Sequence, residues 1–146
     1  MPEELVIDTC VLQKANAPIS GDVRERSLLA RRVRLLRAIR DRHAVALYSR
    51  KLLHEYNQHV RSPRNDFVRA FFALLADPDR SLLNWAKWQN ADQELACGKC
   101  RYPPEDLHVL RTAIRPTASA IVTEEARMLL ADKCIYRFFR VHIKTV

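Results

Sequence analysis

Four acidic residues, Asp8, Glu55, Asp106 and Glu125, are the side chains of this sequence best suited to chemistry. Asp8 ends a short apolar run, and the other three lie in or beside helical patterns. Carboxylates that gather at one point repel one another, and hard cations such as Mg²⁺ or Mn²⁺ are the usual compensation. A cation held in this way polarises a phosphodiester and lowers the pKa of bound water. The four acids therefore indicate metal-assisted phosphodiester hydrolysis, provided that the fold brings them together.

Short apolar runs alternate with helical patterns and decide where these acids should lie. Strands are predicted at residues 5–7, 44–48, 118–122 and 139–144, the last at a sheet edge. Helices are predicted at 27–40, at 50–60 behind Ser49 as N-cap, at 66–76, at 106–114 and at 124–129. Residues 81–88 fit a strand or a helix, and 89–104 are expected to form a long loop.

The order of these elements predicts an α/β fold. Repeated strand-then-helix units favour a three-layer α/β/α sandwich with a central parallel sheet, built as a single domain over residues 1–146. Ligands bind to such sheets outside the carboxyl ends of the strands. Asp8 and the pair Glu124 and Glu125 follow strands directly, so we expect them at that edge.

Positive charge is concentrated in one stretch of the chain. Residues 24–64 hold 12 Lys or Arg against 3 acids, whereas the whole chain has a net charge of +8. Such a patch attracts polyanions, and nucleic acid is the commonest one inside a cell. An arginine-rich helix that only solubilises a surface is the alternative. The side chains expected to guide nucleic-acid phosphates are Arg31, Arg34, Arg37, Arg50 and Lys51.

Four segments, in this order, resemble the PIN-domain family: LVIDTCVL at 5–12, YSRKLLHEY at 48–56, DLHVLRTA at 106–113 and AIVTEE at 120–125. The resemblance runs nearly end to end. It implies a compact α/β/α fold and a Mg²⁺- or Mn²⁺-dependent ribonuclease, an activity that includes toxins of toxin–antitoxin pairs. It further implies that Asp8 and Asp106 are the central metal ligands, that Glu55 binds metal or orients water, and that Glu125 is a further ligand.

The sequence departs from the family pattern at two positions. Cys10 stands where an Asn commonly follows the Asp-Thr pair, which removes a polar group that supports the site. Glu125 is one methylene longer than the expected Asp, and the neighbouring Glu124 leaves the register of the fourth acid open. The alternative to a ribonuclease is therefore a PIN-fold nucleic-acid-binding or partner-regulated module with weakened catalysis.

Composition narrows the remaining classes of function. The chain has two glycines, too few for a glycine-rich phosphate cradle, and its longest apolar run, 70–76, is far below the ~20 residues of a membrane span. The acidic N-terminus does not resemble a secretory signal, so a cytoplasmic protein is expected. RNA is the expected partner, while an acidic antitoxin bound to the arginine-rich helix and a homodimer stay open.

Cysteines and tryptophans offer weaker signals. Cys97 and Cys100 have the spacing of half a zinc site, which Cys134 or His108 would have to complete, and a plain reduced pair in a loop is the more ordinary expectation. Each histidine is expected to be structural or exposed. The two tryptophans, at 85 and 88, are expected in the core, with base stacking or a dimer contact as alternatives.

Overall fold

The computed structural model describes residues 2–146, which form a five-stranded sheet flanked by helices. The strands are β1 Glu3–Ile7, β2 Ala44–Tyr48, β3 Ser81–Leu83, β4 Ser119–Val122 and β5 Val141–Lys144. The longer helices are α1 Thr9–Ala15, α2 Val23–Arg40, α3 Arg50–His59, α4 Asp66–Leu74, α6 Leu107–Ala113 and α8 Asp132–Phe139. Shorter helical pieces are α5 Asn90–Gln93, a π-helical stretch Glu94–Lys99, a 3-10 turn Pro104–Asp106 and α7 Ala126–Leu130.

All strands are parallel, in the order β3-β2-β1-β4-β5. Right-handed crossovers that run outward from β1 in both directions place helices on both faces of the sheet. The central strand is accordingly apolar throughout its buried half, where Leu5, Val6 and Ile7 are almost inaccessible to solvent. The predicted three-layer α/β/α fold with a parallel sheet is confirmed.

Side-chain caps explain where several helices begin. Asp22 accepts hydrogen bonds from the backbone N–H groups at the start of α2, and Asn65 Oδ1 accepts one from Val68 N at 2.9 Å in α4. Ser49 Oγ accepts a hydrogen bond from Leu52 N at 3.2 Å, as the sequence predicts. Each cap satisfies a backbone N–H that would otherwise be unpaired. Because Ser49 does this at the start of α3, strand β2 can pass into that helix without a loop.

Parts of the sequence-based prediction are wrong. The expected loop over 89–104 is largely helical, because Gln89 and Asp92 form a reciprocal capping box that starts α5. Phe139 closes helix α8, so the last strand begins only at Val141, and helix α1 immediately after Asp8 was not foreseen. The ambiguous stretch 81–88 supplies the short strand β3.

Cys100 and Cys134 form a disulfide, whereas Cys97 is a free thiol. The bond joins the end of the π-helical stretch to α8, and it contradicts the expectation of a plain reduced pair at 97 and 100. It also contradicts the zinc-binding hypothesis, because a bonded sulfur of Cys100 is not available as a thiolate ligand.

Within residues 2–146, no helix has both the length and the apolar character needed to cross a membrane.

Candidate active site

The four predicted acids meet in one open cavity of about 250 Å³ at the carboxyl edge of the sheet. We call this the acidic cavity. Its lining residues are Asp8, Thr9, Cys10, Gln13, Glu55, His59, Asp106 and Glu125. They come from positions as far apart as 8 and 125, so only the folded topology creates the site.

Asp8 is the most deeply buried acid of the cavity, with 6% of its surface exposed. Its carboxylate accepts hydrogen bonds from Thr123 Oγ1 at 2.7 Å, from Thr9 N at 2.9 Å and from Cys10 Sγ at 3.3 Å. Burial nevertheless raises its pKa, and the nearby charge of Glu55 adds to this effect. Three donors thus fix the orientation of a carboxylate whose negative charge is poorly compensated.

Glu55 reaches the cavity from α3 and is held by two side chains. Thr9 Oγ1 donates a hydrogen bond to Oε1, and Nε2 of the buried His108 lies 2.7 Å from Oε2. These contacts, with His108 first, lower the pKa of Glu55. Among the described residues, His108 Nε2 has no hydrogen bond of good geometry, so its contact with Glu55 is close but misaligned. Glu55 is therefore an anion in a fixed place.

Asp106 is the N-cap residue of α6, yet its side chain makes no capping hydrogen bond within residues 2–146. Burial, together with the charges of Asp8, Glu105 and Glu55, raises its pKa to about 6. The structural interpretation, in which this acid only caps a helix, is therefore not supported. The carboxylate is instead left free to bind a cation.

The neighbouring residues Glu124 and Glu125 have different surroundings. Arg32 binds Glu124 through two hydrogen bonds, from Nε at 2.8 Å and from Nη2 at 2.7 Å, and both side chains are largely buried. Glu125 lines the acidic cavity, with its carboxylate 3.4 Å from Arg127 Nε. Of the two acids, Glu125 is thus the one available to the cavity.

The donor set of the acidic cavity fits a hard divalent cation. Its candidate ligands are carboxylate oxygens, and burial, with a smaller contribution from neighbouring acids, raises the pKa values of Asp8 and Asp106. A bound cation would offset this cost of the negative charge. Within residues 2–146, no three His, Cys, Asp or Glu side chains approach closely enough to hold a metal together. Mg²⁺ is usually held by one or two carboxylates, with water and substrate phosphate completing its shell. Asp8 and Asp106 could provide such a pair.

The five predicted nucleic-acid-binding residues are exposed, and none of them lines the acidic cavity. Arg31 and Arg34 border a cavity with Val122 and Lys144, at the carboxyl ends of β4 and β5. Arg34 and Arg37 border another cavity near His43, which precedes β2 and therefore lies towards the opposite sheet edge. Arg50 and Lys51 line a cavity beside the end of β3.

Sequence reasoning missed three residues that position the acids: Thr9, Thr123 and His108. Thr9 directly follows Asp8, and Thr123 lies between the end of β4 and Glu124. A threonine next to a predicted site acid is a signal for a hydroxyl that supports that acid. His108 is two residues from Asp106, but its contact with Glu55 depends on the packing of α6 against α3. The sequence therefore gave no reason to separate it from the other histidines.

Stability without divalent metal should depend on pH through Asp106. Its pKa is 3.8 in the unfolded reference and about 6 in the fold, so the folded state binds the extra proton. The stabilising contribution of the protonated acid is complete below pH ~4 and is lost as pH rises through ~6. Urea unfolding in chelator should give a smaller loss of stability between pH 4.5 and 7 for Asp106→Asn than for wild type. Equal losses would contradict this account.

The fold and the site together define an all-parallel α/β protein with an acidic cleft at the carboxyl ends of its central strands. A family model for the PIN domain matches residues 4–127, and the chain belongs to the PIN-domain family. Members of this family are typically nucleases and commonly bind Mg²⁺ or Mn²⁺. Searches of curated proteins and of solved structures gave no significant match.

Proposed function

We propose that the protein is a divalent-metal-dependent endoribonuclease that hydrolyses RNA phosphodiester bonds. The observation that supports this most strongly is the convergence of Asp8, Glu55, Asp106 and Glu125 on one cavity of a PIN-family fold. The mutual repulsion of three of these acids is the second support, since it gives a cation something to compensate.

In this proposal Asp8 and Asp106 hold the Mg²⁺ or Mn²⁺ ion, and Glu125 is a further ligand from the rim. When bound, the ion lowers the pKa of water and stabilises charge that develops on the phosphorus oxygens. Glu55 accepts a hydrogen bond from the attacking water and so orients it. Thr9 and His108 keep Glu55 in place, while its lowered pKa keeps it anionic and able to accept that bond.

The RNA-binding residues, a toxin function and a homodimer are three more detailed proposals. Arg31, Arg34, Arg37, Arg50 and Lys51 are proposed to attract RNA phosphates, because all five are exposed cations. The function of a cytoplasmic toxin, with an antitoxin protein covering part of α2, is a further proposal that follows from the family. A homodimer is likewise proposed from the family alone.

Cleavage of labelled RNA by the purified protein tests the proposal. We expect cutting of a single-stranded RNA with Mg²⁺ or Mn²⁺ and none with chelator. A DNA strand of the same sequence is the comparison, because metal-held phosphodiester chemistry does not itself require the 2′-hydroxyl. Cleavage that survives chelation would contradict a metal-dependent mechanism, and absence of any cleavage would favour the alternative below.

The alternative, a binding module with weakened catalysis, is favoured by one observation. Cys10 donates to Asp8 through a thiol at 3.3 Å, a weak donor. Its pKa is raised to about 11 by burial and by the charge of Asp8, so it stays protonated and gives no charge to the site.

Cys10→Asn should increase RNA cleavage, because an amide N–H donates more strongly to Asp8 than a thiol does. Partners that orient a metal-binding carboxylate commonly change activity by 10- to 100-fold, so we expect a gain of roughly 10-fold. Cys10→Ala is the matched control and should lower activity. Initial rates of RNA cleavage at saturating Mn²⁺ measure both effects. A lower rate for Cys10→Asn would contradict this prediction, because it would mean that the thiol supports Asp8 better than an amide does.

A further inference from the structure

A second cavity, of about 380 Å³, lies at the same edge of the sheet as the acidic cavity. We call it the Trp85 cavity. It lies beyond the ends of β2 and β3 and is lined by Ser49, Arg50, Lys51, Leu83 and Trp85. Its volume falls within the range of small-ligand sites. Two large apolar side chains are exposed here, Leu83 by 52% and Trp85 by 45%, so packing in the core does not explain them.

The indole of Trp85 is fixed in place by Arg111. The guanidinium carbon of Arg111 lies 4.0 Å from the ring centroid, and the same group donates two hydrogen bonds to the carbonyl of Ala86, at 2.8 and 3.1 Å. Arg111 lines a smaller neighbouring cavity of about 230 Å³ but not the Trp85 cavity. Trp85 therefore borders both cavities, and Arg111 contacts its ring from the smaller one.

Two cations border this exposed ring. Arg50 and Lys51 are both exposed, and neither forms an ion pair within residues 2–146. An aromatic face next to unpaired cations is the combination that proteins use to bind single-stranded nucleic acid, since bases stack on the ring and cations neutralise the phosphates. A protein partner could also pack against Leu83 and Trp85, but its binding would not explain why two unpaired cations lie beside them.

The smaller cavity extends from the Trp85 cavity to residues that adjoin the acidic cavity. It shares Lys51 and Trp85 with the former, and it contains His108, whose Nε2 lies 2.7 Å from Glu55 in the latter. A chain that lies against Trp85 can thus extend through the smaller cavity as far as Glu105, the residue before Asp106. This continuity favours a strand of nucleic acid over an occupant unrelated to the acidic cavity.

We propose that the Trp85 cavity binds one unpaired nucleobase of the RNA strand whose phosphodiester lies at the acidic cavity. The base stacks on Trp85, and Arg50 and Lys51 neutralise the adjoining phosphates. This inference rests on the proposed ribonuclease function and names its substrate class. A base inside a duplex is already stacked and paired, so the site selects single-stranded RNA.

Binding is measured apart from cleavage, in chelator and with Asp8→Asn as the background. In that background, Trp88→Phe leaves Trp85 as the only tryptophan, because the chain has two. Its fluorescence should be quenched by a short single-stranded RNA and not by the same RNA in a duplex. The anisotropy of labelled RNA should give a 5- to 150-fold weaker affinity for Trp85→Ala, corresponding to the loss of about one stacked base. Trp85→Phe should retain most of the affinity.

The controls separate stacking from charge. Leu130→Ala removes another exposed apolar side chain, 88% accessible on α7, and should not change the affinity. Lys51→Gln should weaken binding and reduce the slope of log affinity against log salt by about 0.7, the value for one phosphate contact on a single strand. A Trp85→Ala protein that binds like Leu130→Ala would overturn the subsite and favour a protein occupant. Equal quenching by duplex would overturn the selection of an unpaired base.

Failure of the subsite and failure of the nuclease have different signatures. The wild-type protein, which has Asp8, is the one used to measure cleavage. If it cleaves RNA in a metal-dependent way while Trp85→Ala leaves the RNA affinity unchanged, the ribonuclease function is supported and the subsite is overturned. Trp85-dependent binding without cleavage supports the subsite and overturns the ribonuclease. Absence of both RNA binding in chelator and RNA cleavage with Mg²⁺ or Mn²⁺ overturns both.

Discussion

Asp8→Asn should abolish most RNA cleavage, with a rate at least about 100-fold below that of the wild type. Asp8 is the only acid of the acidic cavity that directly follows the central strand, and its carboxylate is fixed by three donors. Asparagine keeps the size of the side chain and one of its acceptor oxygens, but it removes the negative charge that a divalent cation needs. Losses of this size are typical when a group that stabilises developing charge is removed.

The same substitution should not destabilise the metal-free protein. Burial raises the pKa of Asp8, so the fold disfavours its charged form, and a neutral amide avoids that cost. In chelator, Asp8→Asn should unfold at the same or a higher urea concentration than the wild type. Added Mg²⁺ should raise the melting temperature of the wild type alone, because only a protein that binds the ion gains stability from it.

Asp79→Asn is the matched control for Asp8→Asn. Asp79 is an exposed acid in the turn before β3, far from the acidic cavity in the sequence and absent from its lining. The change from Asp to Asn is chemically identical, and cleavage should stay at the wild-type rate. Equal activity in Asp8→Asn and Asp79→Asn would remove Asp8 from the mechanism.

Arg32→Met should cost about 3 to 5 kcal/mol of folding stability, the largest structural effect that we expect from a single substitution. Arg32 is 3% exposed and holds Glu124 through two hydrogen bonds, so its loss leaves a largely buried carboxylate with only Lys14 Nζ, 3.9 Å away, to compensate its charge. For a chain of this size the melting temperature should fall by roughly 10 to 15 °C. Chemical and thermal unfolding, followed by circular dichroism, measure both quantities.

The double variant Arg32→Met with Glu124→Leu should recover much of this loss, because it removes the unpaired charge as well. Arg31→Met is the neighbouring control on the exposed side of α2, and it should stay within about 0.5 kcal/mol of the wild type. If Arg32→Met and Arg31→Met behave alike, the pair with Glu124 contributes nothing to stability.

The strand ends were the most predictable part of the site. Asp8 follows an apolar run typical of a buried strand, and the sequence predicts both β2 and Ser49, the N-cap of α3, at their observed positions. Local sequence decides these features, because the hydrophobic periodicity of a strand and the capping residue of a helix are both found within short segments.

The environment of each acid was less predictable because it depends on contacts between distant segments. Nothing near Glu55 in the sequence indicates His108, and the pairing of Glu124 with Arg32 spans 92 residues. A signal for Arg32 did exist, since it stands four residues from both Leu28 and Leu36 and so falls on the apolar face of α2. An arginine at such a position predicts a buried partner of opposite charge.

Strand order also determines when the protein can become active during its synthesis. The first strand of this sheet in chain order, β1, is the central one, and its neighbour β4 is completed only at Val122. Asp8 then receives a hydrogen bond from Thr123, 115 residues later. Contacts of such long range form slowly and late in folding. A ribosome-bound chain that lacks β4 therefore has neither the sheet nor the complete set of acids, so cleavage of nearby RNA should await release of almost the whole domain.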